Sequence, residues 1–191
     1  MVTDVVVLDA CVLYSAQLRN ILLSLAAADL FRPKWSDLIH EEWITNLLSD
    51  RSDLKRKDLE ATRDAMNRNF LDSMVHGFDP LIPTLTLPDP DDRHILAAAI
   101  HSRSDAIVTL NLKDFPPPAL APYGVMVVSP DVFANYLLDL DEDEALSALA
   151  KMRARLKNPS MTPVEFVDSV EKAGLPFVAS RLRLPIYISR L

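Results

Sequence analysis

Val5-Val6-Val7-Leu8 is a continuous apolar run rich in β-branched residues, the pattern of a strand buried on both faces. The period then changes: Leu18, Ile21, Leu22 and Leu25 recur at helical spacing. Ser36 ahead of DLIHEEWITNLL reads as an N-cap, with Ile39, Trp43 and Leu47 on one helix face. Asp53 to Val75 is polar with spaced Leu59, Met66, Phe70 and Met74, which predicts one or two exposed helices. Leu81 to Pro90 is proline-rich and predicts extended chain. Asp89-Pro90 opens the next helix, with Asp as N-cap and Pro at the first helical position. Ala106-Ile107-Val108-Thr109 reads as a short strand, and Gly124 to Val128 as another. Strands alternating with helices imply parallel pairing, in an α/β sheet covered by helices on both faces.

After Ser129 the pattern is helical. Ser129-Pro130 starts one helix, and Asp141 to Leu156 forms a second, acidic at its start and basic at its end. Thr162-Pro163-Val164-Glu165 has capping-box spacing, and Gly174 closes that third helix. The chain divides into an α/β domain over 1–132 and a helical extension over 133–191, with no linker marking the boundary.

Composition adds exclusions. A chain of 191 residues suffices for one domain with an appendage. No apolar run approaches the length of a membrane span, and the first residues lack the pattern of a signal peptide. Cys11 is the single cysteine, so no internal disulfide forms, and a cytoplasmic location is expected. The net charge of −7 weighs against a general nucleic-acid binder. The charge is uneven, however, with base collected between Arg51 and Arg68 and again at Arg181, Arg183 and Arg190. Asp139 to Glu144 is an acidic run that reads as a solvated helix start. With 3 glycines there is no phosphate-cradling loop.

Several carboxylates fall where elements end. Asp9 directly follows the first strand, where open α/β sheets bind ligands; it is either a ligand or a cap for the following helix. Asp92 shares a helix face with Ile95, Leu96 and Ala99, so a carboxylate is directed inward at a cost. The alternative is that Asp92 pairs back to the Asp89 backbone. Thr109, Asn111 and Asp114 lie just past a strand, where turn chemistry also favours Asn and Asp. Glu41 and Glu42 flank the apolar arc of their helix, and periodicity does not choose between them. His94 and His101 fall opposite Asp92 and read as surface residues. Trp35 and Trp43 read as core or rim. Acids converging from separate elements, without cations in their motifs, point to a divalent metal site.

Taken in order, these segments resemble the PIN-domain family of small metal-dependent ribonucleases that includes VapC-type toxins. Val5 to Asp9 with Val12-Leu13 is similar to the family's first acid segment. Ser36 followed six residues later by Glu42 is similar to its second, which favours Glu42 over Glu41. Asp89-Pro90-Asp91-Asp92-Arg93-His94 with Ala97-Ala98-Ala99 resembles the third, and Ile107-Val108-Thr109, Asn111 and Asp114-Phe115 the fourth. The helical remainder resembles the extension of a subset of these toxins. Two positions depart from the family: Cys11 replaces a small polar residue, which predicts a missing hydrogen bond near Asp9, and Leu110 replaces a smaller residue.

The resemblance implies a three-layer α/β/α domain with a central parallel sheet, plus the C-terminal helical extension. It implies that Asp9, Glu42, Asp92 and Asp114 are the catalytic acids and hold one or two Mg²⁺ or Mn²⁺ ions. Thr109 and Asn111 would orient carboxylates or water, and Lys34, Arg93 and the Arg51–Arg68 group would hold RNA. It further implies an endoribonuclease using a metal-activated water, a small antitoxin partner and a homodimer. A non-catalytic interaction module with the same fold is the competing reading. A haloacid-dehalogenase-like phosphatase also opens with a strand and an acid, but needs a second acid where Cys11 stands.

Overall fold

The computed structural model describes residues 4–157 and 159–191; residues 1–3, the head of the expected α/β domain, lie outside them. In chain order the elements are β1 (Val5–Leu8), α1 (Ala10–Tyr14), α2 (Ala16–Ala26), β2 (Arg32–Lys34), α3 (Asp37–Asp50), α4 (Arg56–Asn69), α5 (Arg93–His101), β3 (Ala106–Val108), α6 (Pro117–Leu120), β4 (Met126–Val128), α7 (Pro130–Leu140), α8 (Glu142–Arg155), α9 (Pro163–Lys172), α10 (Pro176–Leu182) and α11 (Pro185–Ile188). They form two compact units: residues 4–14 with 32–128, and residues 15–31 with 129–191.

The first unit holds a sheet of order β2-β1-β3-β4, parallel throughout. Val6, Val7 and Leu8 are buried, and so is all of β3. This is the α/β architecture that the β-branched runs predict. Strand β2 escapes the pattern because it is three residues long and contains Pro33, which is tolerated at a sheet edge. Trp35 continues that edge: its amide donates to the Ser73 carbonyl (3.0 Å), and its own carbonyl accepts from Val75 (2.8 Å). Trp35 and Trp43 are fully buried.

Ser36 caps α3 by accepting from the Ile39 amide. Asp89 accepts from the Asp91 amide at 2.9 Å, as a cap should. The turn it opens, Pro90–Asp92, is a 3₁₀ turn, and the α-helix begins only at Arg93. A second 3₁₀ segment, Asp79–Thr84, occupies the start of the stretch expected to be extended. Ile95, Leu96 and Ala99 of α5 are fully buried, and α5 lies against β1 and β3.

The second unit is helical. Helix α2 packs on α8 and α9, and α10 packs on α7 and α9. The capping box at Thr162 is complete, with Glu165 reaching back to the Thr162 amide at 2.8 Å. Gly174, at φ +92°, supplies the left-handed residue that ends α9. Buried Asp131 accepts from the Phe177 and Val178 amides at 2.9 and 3.1 Å, satisfying donors at the start of α10. Among the described residues no helix is long and apolar enough to cross a membrane.

Candidate functional site

Asp9 sits at the carboxyl end of β1, the place an open parallel sheet offers to a ligand. Its amide is held by the Val108 carbonyl at 3.1 Å, and its own carbonyl accepts from Val12 and Leu13. The side chain is buried, with Oδ2 accepting from the Thr109 hydroxyl at 2.6 Å and the Cys11 thiol at 3.2 Å. Both donors are anchored in turn. The Thr109 oxygen accepts from the Asn111 amide (2.9 Å), and the Cys11 sulfur accepts from the Leu110 amide (3.3 Å). The loop after β3 therefore orients Asp9 through two side chains. The hydrogen bond expected to be missing is present, because the thiol supplies it. Burial, and then the charge of Asp9, push the Cys11 thiol up to about 12, so it stays a donor at neutral pH.

Asp92 ends the 3₁₀ turn before α5 and is half-buried, with no side-chain capping bond. The pairing back to Asp89 is made by the Asp92 backbone amide (3.3 Å), which leaves the carboxylate to its surroundings. Burial first, and then the charges of Asp9, Asp89, Asp114 and Glu42, push the Asp92 carboxyl up to about 7. Asp9 is also raised, by burial and more weakly by Glu42, against the hydrogen bonds from Thr109 and Cys11. Asp114 is half-buried at the end of a 3₁₀ turn, Leu112–Asp114, whose amide bonds the Asn111 carbonyl. Asn111 itself is exposed.

The two adjacent glutamates part company. Glu41 is exposed and held by Arg56 through two hydrogen bonds of 2.8 and 3.0 Å. Glu42 is half-buried, and its Oε2 lies 3.3 Å from His94 Nε2. His94 was expected at the surface, yet only 14% of its side chain is exposed. The wheel offset from Asp92 fails because Asp92 belongs to the 3₁₀ turn, outside the α-helix that carries His94.

A groove of about 430 Å³ adjoins these groups, lined in part by Cys11, Tyr14, Glu42, Asn46, Asp50 and Asn111. Sequence reasoning passed over its polar wall. Glu42, Asn46, Ser49 and Asp50 stand at i, i+4, i+7 and i+8 on α3, a stripe that helical spacing could have exposed. Tyr14 donates to Asp50 at 2.8 Å across that wall.

The basic residues expected to contact RNA have local partners. The Lys34 ammonium donates to the Asp72 carbonyl, and Arg93 Nε to the Pro90 carbonyl at 2.8 Å. Between Arg51 and Arg68, Arg51 pairs with Asp53, Arg56 with Glu41 and Glu60, and Arg63 with Asp64.

The donor chemistry suits a hard cation: carboxylate oxygens with no Lys or Arg bridged to Asp9, Glu42, Asp92 or Asp114 among the described residues. The same residues contain no ready-made cage of three close acid, His or Cys side chains. The acids sense one another through charge rather than through contact.

The PIN domain profile matches residues 5–113, and that of the VapC50 C-terminal domain matches residues 130–184. The chain is 39% identical over 112 residues to "Putative ribonuclease VapC50" of Mycobacterium tuberculosis, a match spanning 59% of this chain and 66%, just under two thirds, of that protein. No solved structure matches significantly. The parallel sheet, the order of the acid-bearing segments and these three matches together mean that the chain belongs to the PIN-domain family, among VapC-type members with a helical C-terminal domain.

Proposed function

We propose that the protein is a metal-dependent endoribonuclease and the toxin of a VapBC-type pair. The observation that carries this reading is the placing of four carboxylates, buried Asp9 and half-buried Glu42, Asp92 and Asp114, with no Lys or Arg among the described residues bridged to them. The likeness to a protein named as a ribonuclease supports it. Asp9, Glu42, Asp92 and Asp114 would hold one or two Mg²⁺ or Mn²⁺ ions. When bound, such an ion supplies Lewis acidity toward a phosphodiester and makes water more acidic.

The chain's own residues prepare the site. Thr109 and Cys11 fix the rotation of the Asp9 carboxylate by donating to the same oxygen. Asn111, whose amide holds Thr109, lines the groove and orients that loop toward it. Polar groups of α3 form the groove wall, on which a single-stranded RNA segment would be read. Lys34 and Arg93 each spend one donor on a carbonyl, and their remaining Nζ and Nη protons would serve the RNA backbone. A small antitoxin that fills the acidic groove, a homodimer and a cytoplasmic setting belong to the same reading.

Purified protein incubated with total cellular RNA and Mg²⁺, Mn²⁺ or EDTA tests it, alongside Asp92→Asn. A discrete fragment that needs metal and vanishes in the variant is expected. Undiminished cleavage by well-folded Asp92→Asn would sink the site assignment. A non-catalytic interaction module is the second reading, favoured by the lack of a closed cage of ligands. It predicts no saturable Mn²⁺ binding.

A further inference from the structure

Two histidines of the first unit differ in one respect. His40 is fully buried with both ring nitrogens engaged: Nε2 meets Asn67 Oδ1 at 3.1 Å, and Nδ1 accepts from the Trp43 indole at 3.0 Å. Such a ring holds a core together. His94 is nearly as enclosed, yet one nitrogen faces the Glu42 carboxylate and the other, Nδ1, is buried with no hydrogen-bond partner. An ionised carboxylate can only accept, so the nitrogen facing it carries the proton and Nε2 donates. The orphaned Nδ1 carries a cost that packing alone does not explain, because an apolar side chain would fill the space without it. The contact with Glu42 is what the ring gains.

Glu42 needs such a partner. It projects from α3, whereas Asp9 ends β1 and Asp92 precedes α5. Its side chain has more rotatable bonds than an aspartate, is 38% exposed, and bears like charge to its neighbours. Without a donor, repulsion from Asp9 and Asp92 would turn it toward solvent.

We infer that His94 is a positioning residue for Glu42: its Nε2–H holds the Glu42 carboxylate against the repulsion of the other acids, so that a divalent cation meets a preset ligand. The inference rests on the metal reading above. His94 acts through Glu42 and touches neither ion nor substrate.

Mn²⁺ affinity of the full chain, measured by the electron paramagnetic resonance of free Mn²⁺, tests this without any cleavage assay. The set is wild type, His94→Ala, His94→Gln, Glu42→Gln and the Glu42→Gln/His94→Ala double variant. His94→Ala is expected to weaken binding by about 10-fold or more, as loss of an outer partner of a metal ligand does. His94→Gln, whose amide nitrogen also donates, is expected to recover most of that affinity. In the Glu42→Gln background, removal of His94 is expected to cost nothing further, because the two act as one unit. Unchanged affinity in His94→Ala overturns the inference, and so does a full additional loss in the double variant. Equal losses in His94→Ala and His94→Gln with a lowered Tm in both would make the ring structural, which also overturns it. Nitrogen coupling to bound Mn²⁺ in the wild type would make His94 itself a ligand, against the assignment. If wild type binds no Mn²⁺ saturably, the metal reading falls, and the inference with it. If wild type binds and only the His94 results disagree, the metal reading stands.

Discussion

Five acids of the helical unit and the four gathered acids of the sheet unit are held in opposite ways. In the helical unit Asp139, Glu142, Asp143, Asp168 and Glu171 are matched by arginines. Arg181 bonds Asp139 and Glu142, Arg183 bonds Asp168 and Glu171, and Arg190 bonds Asp143 and approaches Glu142 at 3.7 Å. Arg181 also lies 5.5 Å from the Tyr187 ring centre. In the sheet unit Asp9, Asp92 and Asp114 have no such match among the described residues, and Glu42 has only His94. An acid with its own arginine needs nothing from outside. Acids gathered from three elements without cations retain repulsion that an external ion can relieve. The contrast also reassigns the arginines near the C-terminus. Their charge is spent within their own unit, so the basic stretch at Arg181 and Arg183 gives no support to RNA binding there.

The comparison breaks most visibly at Asp92. Asp92→Asn should reduce RNA cleavage by more than about 100-fold, beyond the ~10–100-fold cost of losing an outer partner of a ligand. Initial rates at a Mn²⁺ concentration that saturates the wild type would check it, with circular dichroism as the control for folding. In the helical unit the effect should move from function to stability. Arg181→Ala removes the ion pairs to Asp139 and Glu142, which are 62% and 38% exposed, and denaturant melts should show a loss of about 1 kcal/mol or less, with Mn²⁺ affinity unchanged.

A smaller, pH-dependent effect separates the units further. Asp92 titrates near 7 in the folded chain against 3.8 as the ordinary value, so the folded state binds more protons between those limits. Stability of the metal-free protein should therefore fall as pH rises from about 4 to about 7, and solvent screening keeps the effect modest. Asp92→Asn should remove the Asp92 share of that fall, raising Tm at pH 7.5 by about 2–4 °C per kcal/mol relieved while changing little near pH 4. Arg181→Ala should leave the slope intact. The smallest effect is expected at Cys11. Serine should keep the donor to Asp9 and nearly all Mn²⁺ affinity, whereas alanine should lose several-fold. Equal behaviour of the two would show that the thiol contact is dispensable.

Much of the fold was legible because strong periodic signals met strong caps. The β-branched run at Val5, the Ser36 cap and the capping box at Thr162 all stand as the chain suggested. Strand β2 was not legible, since Arg32-Pro33-Lys34 has no apolar run and takes its identity from pairing with β1. The choice between Glu41 and Glu42 could not come from periodicity. It emerges from partners on other segments, Arg56 for one and His94 for the other. His94 was misread because one 3₁₀ turn displaces Asp92 from the α5 wheel. The carbonyls that hold Lys34 and Arg93 are invisible to composition, which shows only their charge.

The central claim is that the unmatched acids of the sheet unit form a divalent-cation site. Calorimetric titration of Mn²⁺ into purified full-length protein, compared with Asp92→Asn and with Glu41→Gln as the control on the same helix as Glu42, tests it most directly. Saturable binding that Asp92→Asn abolishes and Glu41→Gln leaves intact is the predicted result. Binding of equal strength in all three proteins, or none in the wild type, would contradict it.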